Sequence, residues 1–508
     1  MLSLLLIFSC TQNIYNEEQR VKIFTRASLD FRGFRPSIEE LDLVATSDQA
    51  LEQELEALLD APEFGWQYAQ TMSGFWKTQV IELDHRDHEY SMTNSLELIT
   101  AMGQEPLYFL AEIANNDLSY ADFVTADWTV NNDVLAEWAP VDYPENETGW
   151  KKVSYTDGRP SAGILASNGL WWRYNSTQNN AHRGRANILS KNLLCNDFLE
   201  RNIQLDRELN LLDENAIHDA LSNVPSCYTC HSSLDQFASN FWGFYRHFRF
   251  NPEEQFSYHF ERERDWSIFT GIAPGYFGAP TQGLEDLGSK IAEDPQYYSC
   301  LVERTMEQLY HRPLVLSDIE TKQEHLAVFS ENDWKIRPLV LSIISDQNYR
   351  NIAPKAQKQI SIFRYASQLQ KLTGYHFSTE ELHVLDADLY GLRSMAGGVG
   401  SDHHHEAFLS TSPTFVLVIE RLAQAGAAHL VQDPITAKER LGFSLDSEIS
   451  DLKLIKMFRK TLSRSPTKEE ILLLHQLSSD ILSIEQKNAA AWEGICLFLF
   501  RHPDFLRY

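Results

Sequence analysis

The chain has 508 residues, 43% of them hydrophobic and 23% charged, an ordinary globular composition that excludes intrinsic disorder, a collagen-like repeat and a disulfide-dense miniprotein. Its 44 Lys and Arg against 71 Asp and Glu leave a formal net charge of -27, and a field of that sign repels phosphate backbones, so no nucleic-acid partner is expected. At roughly 100–200 residues per domain the chain should fold as two to four units.

The chain opens with an apolar run, Leu4-Leu5-Leu6-Ile7-Phe8, followed by Ser9 and Cys10. This resembles the end of a bacterial lipoprotein signal peptide, which implies Cys10 as the lipidation site. No Lys or Arg precedes Arg20, and a full signal spans about 15–30 residues, so a translation start further upstream is expected. Thr11 stands where inner-membrane lipoproteins of enterobacterial type commonly carry Asp, which points to the outer membrane. Beyond residue 10 no stretch approaches the roughly 18 uninterrupted apolar residues of a spanning helix. Membrane attachment by a lipid anchor only is expected, in the periplasm or at the outer membrane.

From there apolar residues recur at i, i+3, i+4 and i+7, which predicts a mainly α fold, a multi-helix assembly of helical hairpins. One motif repeats: a helix ends, a turn follows, and a capping box opens the next helix. Its copies are Leu29 to Ser37 with Glu40, Leu309 to Pro313 with Ser317 and Glu320, Gly374 to Ser378 with Glu381, and Leu462 to Thr467 with Glu470. These are scaffold features without chemistry. His85 and His88, with Asp84 and Asp87, share a helical spacing that suits a metal but more commonly marks a wet helix face. Val141 to Pro160 reads as a loop or short strands, and Trp171-Trp172-Arg173-Tyr174 reads as core before it reads as a stacking platform.

The strongest chemical signal is Cys227-Tyr228-Thr229-Cys230-His231, the C-x-x-C-H pattern of c-type haem attachment. Two thiols three residues apart on one helical turn reach the two vinyl groups of one porphyrin, and the adjacent His offers a ring nitrogen to the iron. A zinc site would want two further ligands, a thioredoxin-like site a βαβ setting, and a plain disulfide would leave His231 unexplained. Cys227, Cys230 and His231 are therefore the expected cofactor-binding residues, for one covalent haem c. Phe237, Phe241, Trp242, Phe244 and Tyr245 follow at helical spacing and are expected either to wall the porphyrin or to form core.

Thr270 to Gly288, rich in Gly and Pro, pairs with Val141 to Pro160 as expected boundaries around the haem-bearing segment. Further on, Met395 beside Ala396, Gly397 and Gly398 is the candidate sixth iron ligand, because small neighbours admit a flat cofactor. His403-His404-His405-Glu406 suits a metal by composition but reads first as a solvated loop. Either His group is an alternative distal ligand, and a five-coordinate iron is another. With Cys10 and the haem pair set aside, Cys195, Cys300 and Cys496 remain. One disulfide and one thiol are expected, with Cys195–Cys300 flanking the haem segment as the bond. No nucleophile elbow or zinc-protease motif appears, so hydrolase chemistry has no support.

Several of these segments together resemble the planctomycete-type multidomain cytochrome c proteins. They are Arg26 to Pro36 with Glu40, Glu105 to Phe109, Asp127 to Ala136, Arg159, Gly163-Ile164-Leu165, His182 to Cys195, Cys300, and Ala491 to Leu506. The family commonly reads D-P-x-G after its haem motif, whereas here Asp235 is followed by Gln236, Phe237 and Ala238. The resemblance implies a helical cytochrome-like lipoprotein and names no substrate.

Residues 1–10 are thus read as a signal segment and 11–145 as an N-terminal helical domain. Residues 146–265 are read as a cytochrome c-like haem-bearing domain, 266–345 as a further helical domain and 346–508 as a C-terminal one. The leading functional expectation is a monohaem c-type cytochrome of the envelope, passing single electrons to a redox partner protein or small-molecule donor or acceptor. The alternatives are a haem-dependent oxidoreductase with an open distal position and a surface-anchored helical scaffold with structural haem.

Overall fold

A computed structural model describes residues 14–79, 92–176, 180–200, 213–246, 252–351, 358–378, 383–386, 388–397 and 411–508. Cys10, the Asp84 to His88 group, Glu381 and the His403 to Glu406 group lie outside these residues. The fold is mainly α. Among the described residues the named strands form two short antiparallel pairs, Trp128–Asn131 with Lys151–Ser154 and Gly275–Tyr276 with Ala279–Pro280.

Two compact units result, and they do not follow the linear segments read from the sequence. The first contains Met1–Glu63, Asp346–His376 and Leu409–Tyr508, and the second contains Phe64–Ser345 and Phe377–Phe408. Val141 to Pro160 and Thr270 to Gly288 both lie inside the second unit, so neither separates the two units. The reason is local packing. Strand Lys151–Ser154 is hydrogen-bonded to Trp128–Asn131, and helix Leu284–Glu293 lies so close to Asp122–Thr125 that a Cβ on Gly288 would meet the Val124 carbonyl at 2.1 Å.

In the first unit the recurring hairpins are built as the sequence implies. The Ser37 hydroxyl caps the Glu40 N–H at 3.2 Å while the Glu40 carboxylate accepts the Ser37 N–H at 2.7 Å, and Thr467 and Glu470 repeat the arrangement at 3.1 and 2.7 Å. Each capping carboxylate also receives the arginine of the preceding turn, Arg32 at 2.6 Å and Arg464 at 2.7 Å. In the second unit, the turn after Leu309 departs from the expected pair. There Asp318, not Ser317 and Glu320, accepts the Val315 N–H and the Arg312 guanidinium, because a 3-10 turn over Leu316–Asp318 precedes the helix.

The first unit closes on Asp30, which is 0% exposed at the end of helix Glu17–Phe31. Its carboxylate accepts the hydroxyls of Tyr349 and Tyr508, each at 3.0 Å, and faces Arg364 at 3.3 Å and Lys358 at 3.7 Å. Arg26 lies over the Tyr349 ring at 4.2 Å. Helix Pro413–Gln432 is apolar and long enough to cross a membrane by length and composition alone. Within this unit it packs on helices Ile362–Thr373 and Asn488–Phe500, burying Phe415, Val418, Ile419 and Leu422.

In the second unit, helix Met92–Asn115 packs along helix Phe64–Trp76 and carries Glu105 into the interior, 1% exposed. Burial pushes the Glu105 carboxyl above its ordinary value, and its donors offset part of that cost. One oxygen accepts the Gly169 N–H at 2.7 Å, and the other faces Thr129 and Tyr155, each at 3.4 Å. Gly169 is needed there, since a Cβ would stand 2.2 Å from the Met102 carbonyl. Segments that carry the family resemblance, Glu105, Thr129 and the Arg159–Asp157 pair at 2.8 Å, thus meet in one buried polar framework.

Cys195 and Cys300, 105 positions apart in sequence, form a disulfide with Cα atoms 5.4 Å apart. It ties the left-handed C-cap of helix Arg183–Leu194 to helix Pro295–Tyr310. The loop it closes contains Cys227, Cys230 and His231. The double variant Cys195→Ser/Cys300→Ser is expected to lower stability by about 2–5 kcal/mol, the usual range for a long loop, in denaturant unfolding against the wild type. Cys496 is 1% exposed, and burial pushes its thiol up to about 12, so it stays protonated and inert.

Candidate functional site

Helix Pro225–Ala238 starts with Pro at its first position, where the missing N–H costs nothing. Cys227 and Cys230 fall one turn apart on it, which places their Cβ atoms on the same face. Cys227 is half-buried, Cys230 is buried, and both are thiols. His231 follows directly, with its side chain 25% exposed.

One turn further on, Asp235 orients that histidine. The His231 Nδ1 lies 3.0 Å from Asp235 Oδ1, and Arg183 grips the same carboxylate through Nε at 2.6 Å and Nη2 at 2.8 Å. Burial would raise the Asp235 carboxyl, but the hydrogen bonds from His231 and Arg183 and the Arg183 charge hold it below its ordinary value. An ionised carboxylate only accepts. Nδ1 therefore donates to it, which leaves Nε2, the nitrogen turned away from the carboxylate, as the ring position open to a metal. A carboxylate behind a metal-binding imidazole fixes its tautomer and raises its basicity. Two thiols on one turn, followed by an imidazole whose Nδ1 is held by a carboxylate, fit the donor set of a covalently held haem.

Of the five aromatic residues after the motif, four pack as core and Tyr245 is half-buried. Phe237, Phe241, Trp242 and Phe244 are at most 3% exposed. Phe241 and Phe244 lie 4.9 and 5.8 Å from Trp171, Phe237 meets Tyr276 at 5.9 Å, and Trp242 stacks on Phe269 at 5.1 Å. They therefore anchor the end of the helix that carries Cys227, Cys230 and His231. Trp171 and Trp172 are likewise buried, and the Trp171 indole donates to the Leu165 carbonyl at 2.9 Å. Met395 ends helix Leu392–Met395 and is 42% exposed; that helix packs on the turn Leu389–Gly391. Among the described residues no three His, Cys, Asp or Glu side chains gather as a metal cage would.

Sequence reading missed the orienting pair. Asp235 was legible as the residue four positions after His231 on a helix, but Arg183 lies 52 positions from Asp235 and carries no local signal.

Residues 39–139 match the family model PSD4, a protein of unknown function (DUF1592), a domain found in planctomycete cytochrome-like proteins. The chain matches no curated protein and no solved structure.

Proposed function

We propose that the chain is a monohaem c-type cytochrome of the bacterial envelope that carries single electrons. The observation that supports it best is the single turn holding Cys227, Cys230 and His231, with the His231 ring pinned by Asp235 and Arg183. Cys227 and Cys230 would form the two thioether links, and His231 Nε2 would be the proximal ligand. Bound haem would supply one Fe(III)/Fe(II) couple. The Cys195–Cys300 disulfide suits an oxidising compartment, the lipoprotein-like start supports an anchored location, and Met395 remains the candidate sixth ligand.

The test is a redox titration of the matured chain beside Asp235→Asn. Asp235 in its ionised form would add electron density to the His231 imidazole and so favour the ferric state of a haem held there. Its replacement by a neutral amide is expected to raise the midpoint potential by on the order of 60 mV, one tenfold step for a one-electron couple. A chain that shows no reversible couple overturns the reading. The same carboxylate favours a second reading, a haem-dependent oxidoreductase with an open distal position, because Asp235 would make His231 a more basic ligand and a haem held there would supply peroxide chemistry.

A further inference from the structure

Behind His231 one carboxylate oxygen is shared by two donors. Asp235 Oδ1 faces His231 Nδ1 at 3.0 Å and also accepts Arg183 Nε at 2.6 Å, while Oδ2 accepts Arg183 Nη2 at 2.8 Å. The guanidinium stands closer than the imidazole, and it is the stronger partner, because its bonds are charge-assisted and its planar fork fits both oxygens at once. The two donors draw on the lone-pair charge of the same atom. What Oδ1 gives to Arg183 it cannot give to His231.

The fold holds Arg183 where it can compete. It is the first residue of helix Arg183–Leu194, which packs against helix Pro225–Ala238. Asn180 fixes the start of that helix: its carbonyl accepts the Arg183 N–H at 3.0 Å, and its side-chain oxygen accepts the Gly184 N–H at 2.7 Å. Two positions on from Arg183, Arg185 is 0% exposed and donates to the carbonyls of Tyr174, Trp171 and Tyr245, which ties the same turn into the interior. The Asp235 side chain is 2% exposed. Water therefore does little to solvate that carboxylate, and His231 and Arg183 divide its accepting capacity between them.

We infer that Arg183 sets the reduction potential of this site by competing with His231 for Asp235 Oδ1. The inference rests on the reading of His231 as an iron ligand and adds to it a residue that no local pattern marks. Arg183 acts through two other side chains, so it is a positioning residue. A carboxylate that donated its charge fully to the imidazole would favour the ferric state of a haem held there, and Arg183 restrains that effect. Asp235 and Arg183 therefore work in opposite directions: removing the carboxylate raises the potential, and loosening the guanidinium lowers it.

The test is Arg183→Lys in the matured full chain, a change that keeps a positive charge beside Asp235 but gives up the bidentate fork. Its midpoint potential is expected to fall by about 30 mV, a roughly threefold shift toward the ferric form at about 59 mV per tenfold for one electron. Arg183→Gln, recorded at about pH 8 where a carboxyl stays ionised, should move the potential the same way and stands in if the lysine variant does not fold. In an Asp235→Asn background, Arg183→Lys should leave the potential where Asp235→Asn alone puts it. An unchanged or raised potential in the single variants, or an equal fall in the Asn background, overturns the proposal. The haem-free chain gives an independent readout. With isotope-labelled histidine, the His231 Nδ1–H resonance should move downfield in both Arg183 variants as its bond to Asp235 strengthens, and a resonance that stays put also overturns the proposal. A wild-type chain that retains no haem overturns the cytochrome reading, and this resonance then still decides whether Arg183 competes for the carboxylate.

Discussion

Produced with a haem c maturation system, the chain is expected to retain one porphyrin through denaturation and to show a reducible c-type visible spectrum, while Cys227→Ala/Cys230→Ala retains none. The expectation rests on the single turn that sets both thiols on one face and on the His231 ring that Asp235 holds at 3.0 Å. The whole signal is at stake in the double variant, since no other C-x-x-C-H exists in the chain. His231→Ala should keep the covalent mass but shift the spectrum, because the thioethers form at the cysteines and the ligand field comes from the imidazole. Carbon monoxide then separates the two readings of function. A reduced spectrum that ignores it means a filled sixth position and an electron carrier, whereas prompt binding means an open one and moves the case to catalysis. Absence of covalent haem in the wild type would sink both.

Replacement of Asp30 should have the largest effect on stability. Asp30→Ala leaves Arg364, Lys358 and Arg26 buried around a missing charge, and breaking a buried pair in this way costs about 3–5 kcal/mol. It also strands the hydroxyls of Tyr349 and Tyr508, each of which donates to that carboxylate at 3.0 Å. Tyr508→Phe, which removes one of those bonds, should cost only about 1–2 kcal/mol. Denaturant unfolding of the three chains orders them, and a loss under about 1 kcal/mol for Asp30→Ala would show that the cluster does not hold the first unit together.

The same cluster has a pH signature. Burial opposes ionisation of Asp30, but Lys358, Arg364, Arg26 and the Tyr508 hydrogen bond outweigh it and hold the carboxyl below its ordinary value. In the unfolded chain the carboxyl titrates near pH 4. As the pH falls the unfolded state takes up its proton first, so the stabilisation is complete above about pH 4 and is lost as the pH drops through the folded value. Between those limits wild-type stability should fall more steeply than that of Asp30→Asn.

What could be read directly was whatever one turn of chain encodes. The capping pairs Ser37–Glu40 and Thr467–Glu470 were legible because donor and acceptor lie three residues apart, and the C-x-x-C-H turn was legible for the same reason. The cap after Leu309 was misread by a small margin, since a 3-10 turn hands the role to Asp318. The aromatic run after the motif showed its helical spacing but not its neighbours, and Trp171, Tyr276 and Phe269 bury it as core. Val141 to Pro160 and Thr270 to Gly288 have the composition of linkers, yet they contribute strands inside one unit.

By itself the sequence determined the helical class, the local caps, the turn that sets Cys227, Cys230 and His231 together and the count of cysteines free to pair, because each depends on residues within a few positions of one another. The tertiary structure decided which distant segments share a unit, that Arg183 and Asp235 stand behind His231, and that Asp30 gathers Lys358, Arg364 and Tyr508. Those arrangements join residues tens to hundreds of positions apart, where no periodicity reports proximity. They are set by the requirement that buried charges and hydrogen-bonding groups find partners, a condition that only the packed chain can meet.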